Sequence, residues 1–582
     1  MRLTPQQRAA VDESERHVLV IACPGSGKTR TIIARLIRAI EQVRGTPRRI
    51  ACITYTNAAA NEIESRLRAL VGADESDYCD IGTIHAFCLK AVLRQYAGEL
   101  PGYENGFAVA PPDSDEYQRL ALEAIAQCKL GSLRSQEFEN VRRGVKGEPL
   151  IPSDVAVTDE CVRVFWTLLR DHALMDFPSI TYLTYALLAK HPHLATTVSS
   201  RYREFLIDEM QDTDTLQVEL LKRLAAPARS RFVMVGDPMQ SILGFAGAEP
   251  KRMMEFAAHL NARTDFQLLD NWRSSARIVS LADAVCARSA AMKANGPDRG
   301  SPHIPVVIPA NSVVDAVAGG FLPLLEKAGI PVGQSAVLAY AWYLLVPVAK
   351  ELRRMNVPVS GPGARPYHRR GRLLTGLLEN LCACMEDTRP DLLRRVQYEL
   401  FDVIRNTESA QRLEVWERSG RLAIMHMIFD GRELTERYQT AIPWIEHSTK
   451  RFADILGQHH LIGTAGRTAM MDAAKAIIAD IRTNRDVDPD ELTVRDLGTF
   501  ANPDGSMKLL TFHAAKGREF DAACVVSLEE GKMPHPKGNI DESRRVLYVA
   551  VTRPRKLLVL SHLRSGTRSR FLGEPAVQAA LR

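Results

Sequence analysis

From residue 17 to residue 37 the chain reads His17-Val18-Leu19-Val20-Ile21-Ala22-Cys23-Pro24-Gly25-Ser26-Gly27-Lys28-Thr29-Arg30-Thr31-Ile32-Ile33-Ala34-Arg35-Leu36-Ile37. The first six residues are a short apolar run with the character of a buried strand, and the residues from Thr31 read as a helix. Between them lies a glycine-rich turn, Ala22 to Thr29, that ends in Gly-Lys-Thr. Its glycines let backbone N–H groups wrap around phosphate oxygens. Lys28 places a cation on the β- and γ-phosphates of a nucleotide, and the Thr29 hydroxyl is a ligand for Mg²⁺. Alone, such a turn would serve to cap an ordinary helix. The strand before it and the helix after it favour the nucleotide, although the general pattern has Gly where this chain has Ala22.

Working outward, Arg49 to Thr54 is a second apolar strand, and strand–helix–strand is the signature of a parallel sheet flanked by helices. A nucleotide on such a sheet needs an acidic strand end to hold the water shell of Mg²⁺. Phe205-Leu206-Ile207-Asp208-Glu209 delivers two carboxylates at the carboxyl edge of an apolar strand. Asp208 is the candidate metal ligand, and Glu209 the candidate to orient and deprotonate the attacking water. An apolar run ending in Asp-Glu is by itself a common strand terminus. Behind a phosphate-binding turn it reads as the second half of a hydrolytic site.

Strand character returns at Arg231 to Val235, near Phe266 to Leu268, at Met507 to Thr511, at Ala523 to Ser527 and at Lys556 to Leu560. The stretches from about 95 to 200 and from about 375 to 498 read as helices, and Gly361-Pro362-Gly363 with the basic run His368 to Arg372 marks a boundary. A chain of 582 residues is too long for one core. The predicted fold class is α/β: two parallel-sheet units, each interrupted by a mainly helical insertion. The first unit is expected at 1–92 and 198–265 with its insertion at 93–197; the second at 266–374 and 499–582 with its insertion at 375–498.

The longest apolar run, Ala336 to Ala349, is too short to span a bilayer and contains Pro347, so it is expected to be a buried element. No signal peptide is read at Met1-Arg2-Leu3-Thr4-Pro5, and no membrane partner is expected. The ten cysteines form no paired C-x-x-C, which suits reduced thiols in a cytoplasmic protein. A net charge of +6 permits a nucleic-acid partner, though local patches weigh more than the total. His459-His460 reads as a solvated helix end.

Beyond Asp208 the sequence continues Glu209-Met210-Gln211-Asp212-Thr213-Asp214, which resembles the D-E-x-Q-D-T signature of UvrD-like superfamily 1 helicases. Other segments agree with that family in content and order. Leu3-Thr4-Pro5-Gln6-Gln7 resembles its Q motif, Thr54-Tyr55-Thr56-Asn57-Ala58-Ala59-Ala60 its T-F-T-N-K-A-A segment, and Gly82-Thr83-Ile84-His85-Ala86-Phe87 its G-T-x-H-x-F segment. Val235 to Ile242, Asp270-Asn271-Trp272-Arg273-Ser274, Thr511 to Phe520 and Glu542 to Arg553 resemble the remaining motifs. The resemblance runs from residue 3 to residue 553 and draws little from the two insertions.

The resemblance implies two RecA-like domains, 1A and 2A, with insertions 1B and 2B. It implies an ATP-dependent DNA helicase that uses ATP and Mg²⁺, moves 3′→5′ on single-stranded DNA, and opens tailed duplexes in DNA repair or antiviral defence. Gln7 would read the adenine edge, Trp272 would stack on the base, and Gln240 would sense the γ-phosphate. Ala22, Cys23, Pro24, Gly25, Ser26, Gly27, Lys28, Thr29, Arg30 and Glu519 complete the ATP site. Arg273 and Arg553, if both sit on the second domain, would add positive charge to the transition state when the domains close. Thr56, Asn57, Thr83, His85, Phe245 and His513 would contact DNA, Phe245 by base stacking.

The chain departs from the family where it has Leu243 and Ala246 in place of the usual Tyr and Arg, has Arg518 in place of Leu, and carries a short second insertion. In compactness it resembles the short helicases of antiviral systems such as Gabija. That raises two rivals: a motor subunit that works with a partner nuclease or by self-association, and an ATPase that strips proteins from DNA without unwinding it. A non-motor P-loop protein is disfavoured by the two arginine motifs.

Overall fold

The computed structural model describes residues 2–152, 155–367, 373–407, 413–484, 487–536 and 538–582; the basic run His368 to Arg372 lies outside them. The chain divides into two compact units. Met1–Gly300 with Asp541–Tyr548 form the first, and Ser301–Ile540 with Val549–Arg582 form the second.

The first unit is built on β1 (Val18–Ala22), β2 (Arg49–Thr54), β3 (Cys79–Thr83), β4 (Tyr202–Ile207), β5 (Arg231–Gly236) and β6 (Arg263–Leu268). They form one parallel sheet in the order β6-β1-β5-β4-β2-β3. The strands are apolar throughout because both faces are covered. Leu19, Phe205 and Phe232 pack into the core on one side, and Val18, Val20, Leu206 and Val233 into the core on the other, as the two-residue period of a strand requires. Parallel pairing gathers the residues after Ala22, Thr54, Thr83, Ile207 and Gly236 at one edge.

The first insertion is mainly helical, as expected, with helices Asp115–Gln127 and Asp159–Asp171 around a core of its own that includes Tyr117, Phe138, Phe165 and Trp166. It also contains a short antiparallel pair, Arg142–Arg143 with Pro149–Leu150. The compact units depart from the sequence reading at two places, one of them Asp541–Tyr548, which that reading assigns to the second unit and which belongs to the first. The sequence reading ends the first unit at 265, yet β6 runs to Leu268 alongside β1, and the chain stays with this unit to Gly300.

In the second unit, β7 (Val306–Ala310), β8 (Ser335–Ala339), β9 (Val359–Ser360), β10 (Met507–Thr511), β11 (Phe520–Val525) and β12 (Pro554–Leu563) form a parallel sheet in the order β7-β12-β11-β8-β10-β9. Its insertion is helical from Thr375–Glu386 to Val494–Ala501. Here sheet and insertion share one continuous core: Leu377 and Leu381 belong with Val337, Leu509 and Cys524. The apolar run Ala336 to Ala349 is not one buried element. It divides into β8, an exposed turn with Trp342 and Tyr343, and the helix Val346–Arg354. His459 caps the helix Ala441–Gln458, as read. Among the described residues no helix is long and apolar enough to cross a membrane.

Candidate functional site

The turn after β1 is held from two sides. Gln7, in the helix Pro5–Asp12, accepts from Thr4 N at 3.0 Å and donates from Nε2 to Ser26 O at 2.9 Å. From the other side Asn271 Nδ2 donates to Pro24 O at 2.9 Å and Trp272 N to Gly25 O at 2.8 Å. Gly25 and Gly27 have φ of +68° and +80°, a conformation side chains resist. A Cβ at Gly25 would also lie 2.7 Å from Arg273 Cβ. Gly27 caps the helix Lys28–Val43, so the positive end of that helix faces the turn. Ser26 Oγ is buried and has no hydrogen-bond partner among the described residues. A glycine cradle and an orphaned hydroxyl at a helix N-terminus fit a phosphate group.

Lys28 Nζ donates to Glu209 Oε1 at 2.8 Å. Burial works to lower the lysine pKa, but the charges of Glu209, Asp208 and Asp237 outweigh it and hold the ammonium above its ordinary value. Asp208, at the end of β4, is pushed up to about 7 by burial and by the charge of Glu209, with Lys28 opposing. A cation arriving at this carboxylate would relieve both. Among the described residues no group of three or more His, Cys, Asp or Glu side chains could hold a metal ion. Glu209 itself sits at φ +51°, a strained conformation of the kind found at working sites.

A hydrogen-bonded chain leads away from Glu209. Gln211 Nε2 donates to Glu209, and Gln211 Oε1 accepts from Asp237 N at 2.9 Å. Asp237, fully buried, accepts from Gln240 Nε2 at 2.7 Å and from Arg288 Nη2 at 2.6 Å. Arg288 also donates to Tyr548 OH at 2.6 Å. Arg545 Nε donates to Ser241 O at 2.7 Å, next to Gln240. Sequence reasoning missed Asn271, Asp237, Arg288, Arg545 and Tyr548 as members of the site. Four of them lay inside the quoted motifs; Arg288 lay in none.

Most of the remaining ATP-site expectations fall on this turn: Ala22 ends β1, Cys23 is buried with its thiol pushed up to about 12, and Arg30 is exposed on the helix. Trp272 is exposed beside Gly25. One expectation needs correction. Arg273 does not belong to the second unit: the register of β6 and the bonds of Asn271 and Trp272 to the turn carry it into the first. Arg553 is 1% exposed, and its guanidinium donates to Val549 O at 2.8 Å and Arg518 O at 3.3 Å within the second unit. Glu519, also there, accepts from Arg555 at 3.0 Å.

Of the expected DNA contacts, Thr56 and Thr83 cap the helices Asn57–Val71 and Ile84–Cys88, which exposes Asn57 and seats His85. His85 lies 5.3 Å from the Phe177 ring, and burial lowers its pKa to about 4, so it stays neutral at physiological pH. Tyr55, His85, Phe177 and Phe245 line one cavity of about 520 Å³, whose wall includes Asp208 and Glu209. Phe245 is 59% exposed. His513 lies on the turn after β10 in the second unit.

Residues 3–261 match the family model described as the UvrD/REP helicase N-terminal domain, and residues 474–565 the UvrD-like helicase C-terminal domain. The chain is 25% identical to the ATP-dependent DNA helicase Rep of Escherichia coli, over 96% of this chain and 91% of that protein. It is 24% identical to a probable DNA helicase II homolog of Rickettsia felis, over 97% and 92% of the two chains. With the ATP-dependent DNA helicase PcrA of Staphylococcus aureus it shares 23% identity over 97% and 83%.

Proposed function

Because the chain belongs to the UvrD-like helicase family, we propose that it is an ATP-dependent DNA helicase that steps 3′→5′ along single-stranded DNA. The observation that carries this reading is the Lys28–Glu209 ion pair at the glycine cradle, continued through Gln211 to Asp237 and Gln240. Thr29 and Asp208 would hold Mg²⁺, which supplies charge neutralisation at the phosphates when bound. Lys28 turns from Glu209 to the β- and γ-phosphates, and Glu209 is then released to take the proton of the attacking water. Gln240 orients that water and reports its presence to Asp237. Arg273, against Gly25, and Arg545, beside Gln240, would supply positive charge to the transferring phosphoryl group.

The cavity lined by Tyr55, His85 and Phe245 shares Asp208 and Glu209 with the nucleotide side, so a strand stacked there would bear on the hydrolytic carboxylates. One ATP covers the ~1.4 kcal/mol of an average base-pair step, so duplex grip, not energy, limits unwinding. With a short second insertion and no arginine at position 246, the isolated chain grips weakly. It works in the cytoplasm, in DNA repair or antiviral defence. An ATPase assay paired with strand displacement on duplexes of both tail polarities tests the reading. We expect strong stimulation by single-stranded DNA, weak unwinding confined to 3′ tails, and more unwinding with a partner or self-association. An ATPase indifferent to DNA, or unwinding of 5′-tailed duplexes alone, would overturn it.

A further inference from the structure

The hairpin Arg142–Arg143 with Pro149–Leu150 belongs to the first insertion but reaches the loop at Gly247, beyond β5 of the first sheet. Successive residues of a strand point to opposite faces. Arg143 faces its own insertion: its guanidinium carbon lies 3.8 Å from the Trp166 ring centroid and 5.3 Å from that of Tyr182. Trp166 is fixed in turn, donating from Nε1 to Asp176 Oδ2 at 3.1 Å, while Asp176 caps the helix Phe177–Lys190. Both arginines line the cavity that holds Phe245, but the Arg142 guanidinium is directed to the loop after β5. There it meets Gly247, at φ +81°, so closely that an added Cβ would run into its guanidinium. Arg142 lines the same cavity as Phe245, Tyr55 and His85. Its Nε is buried without a hydrogen-bond partner, and among the described residues it forms no ion pair. The carboxylates of Asp212 and Asp214 line that cavity too, so the guanidinium is held there by charge without being consumed by a bond.

We infer that Arg142 is a DNA-phosphate contact, delivered by the first insertion to the place that Ala246 leaves without an arginine. Gly244-Phe245-Ala246-Gly247 offers a stacking ring but no cation of its own. The hairpin brings one from outside the motif and presents it beside that ring. A base stacked on Phe245 with its phosphate on Arg142 uses the two elements of sequence-blind strand binding. The assignment rests on the proposed function and names one residue of its track.

The test is the affinity of a fluorescent oligothymidylate, measured by anisotropy over a salt series. Arg142→Ala should weaken binding about tenfold and make the log–log salt slope shallower by about 1, as loss of one phosphate contact requires. Arg142→Lys should keep the slope. Ala246→Arg added to Arg142→Ala should restore both affinity and slope, because it returns the cation from the neighbouring backbone. Unchanged binding by Arg142→Ala would overturn the inference. So would a loss that leaves the slope intact and that neither Lys nor Ala246→Arg recovers, since that marks a packing role. Wild-type protein that fails to bind the strand at all would overturn the proposed function and this contact with it.

Discussion

At the carboxyl edge of the first sheet, β1, β4 and β5 end in Ala22, Ile207 and Gly236, followed by the glycine cradle, the Asp208-Glu209 pair and the buried Asp237. At the same edge of the second sheet, β8 ends in Ala339, and the turn after it carries Trp342 and Tyr343, 59% and 52% exposed. β10 is followed by buried Phe512 and then His513. Both sheets have six parallel strands and gather loops at one edge, so the backbone plan does not separate them. What separates them is the loops: those of the first sheet hold a buried chain of carboxylates and their partners beside Tyr55 and Phe245, whereas those of the second carry exposed Trp342 and Tyr343 with Lys516, Arg518 and Glu519. Parallel packing decides where a ligand can sit, and the loop residues decide which ligand.

The sharpest way to break this contrast is Lys28→Ala. Losing the cation of the cradle should cost ~3 kcal/mol or more of transition-state stabilisation, at least about a hundredfold in ATP turnover, with the fold retained. Near-normal turnover would remove the first sheet's claim to the chemistry. Next is Arg553→Ala. If this arginine is architecture of the second unit, its loss leaves the carbonyl of Arg518 without this donor and Val549 O with Thr552 Oγ1 alone, at ~1–3 kcal/mol in all. The melting midpoint should fall. A drop in turnover at an unchanged midpoint would put Arg553 at the phosphates instead.

Phe245→Ala follows, with a loss of ~1–3 kcal/mol in single-strand affinity for one stacked base and a smaller change in nucleotide affinity. The smallest effect belongs to Trp342→Ala. Stacking by an exposed ring on the second sheet should contribute about 1 kcal/mol, read as a few-fold weaker binding with little change in stability. Binding that falls more for Trp342→Ala than for Phe245→Ala would invert the comparison, making the second sheet the main grip.

By itself the sequence determined whatever depends on neighbours along the chain. The glycine turn between a strand and a helix, the Asp208-Glu209 pair at a strand end, and the helical character of both insertions follow from short-range pattern, and the structure holds them where they were expected. Tertiary structure decided what depends on approach between distant segments. Arg273 lies with the first unit because β6 pairs with β1 and Asn271 and Trp272 bind the turn at Pro24 and Gly25, partners 247 residues away in the chain. Arg553 was read from its motif as a charge for ATP. In the structure its guanidinium donates to Val549 O, one helical turn back, and to Arg518 O, which packing brings near from a distant segment. The Arg288–Asp237–Tyr548 contacts and the meeting of Arg142 with Gly247 join parts of the chain whose proximity is set by core packing. Side-chain identity fixes what a residue can do, but the free energy of burying the strands and helices beneath it fixes which partners it meets.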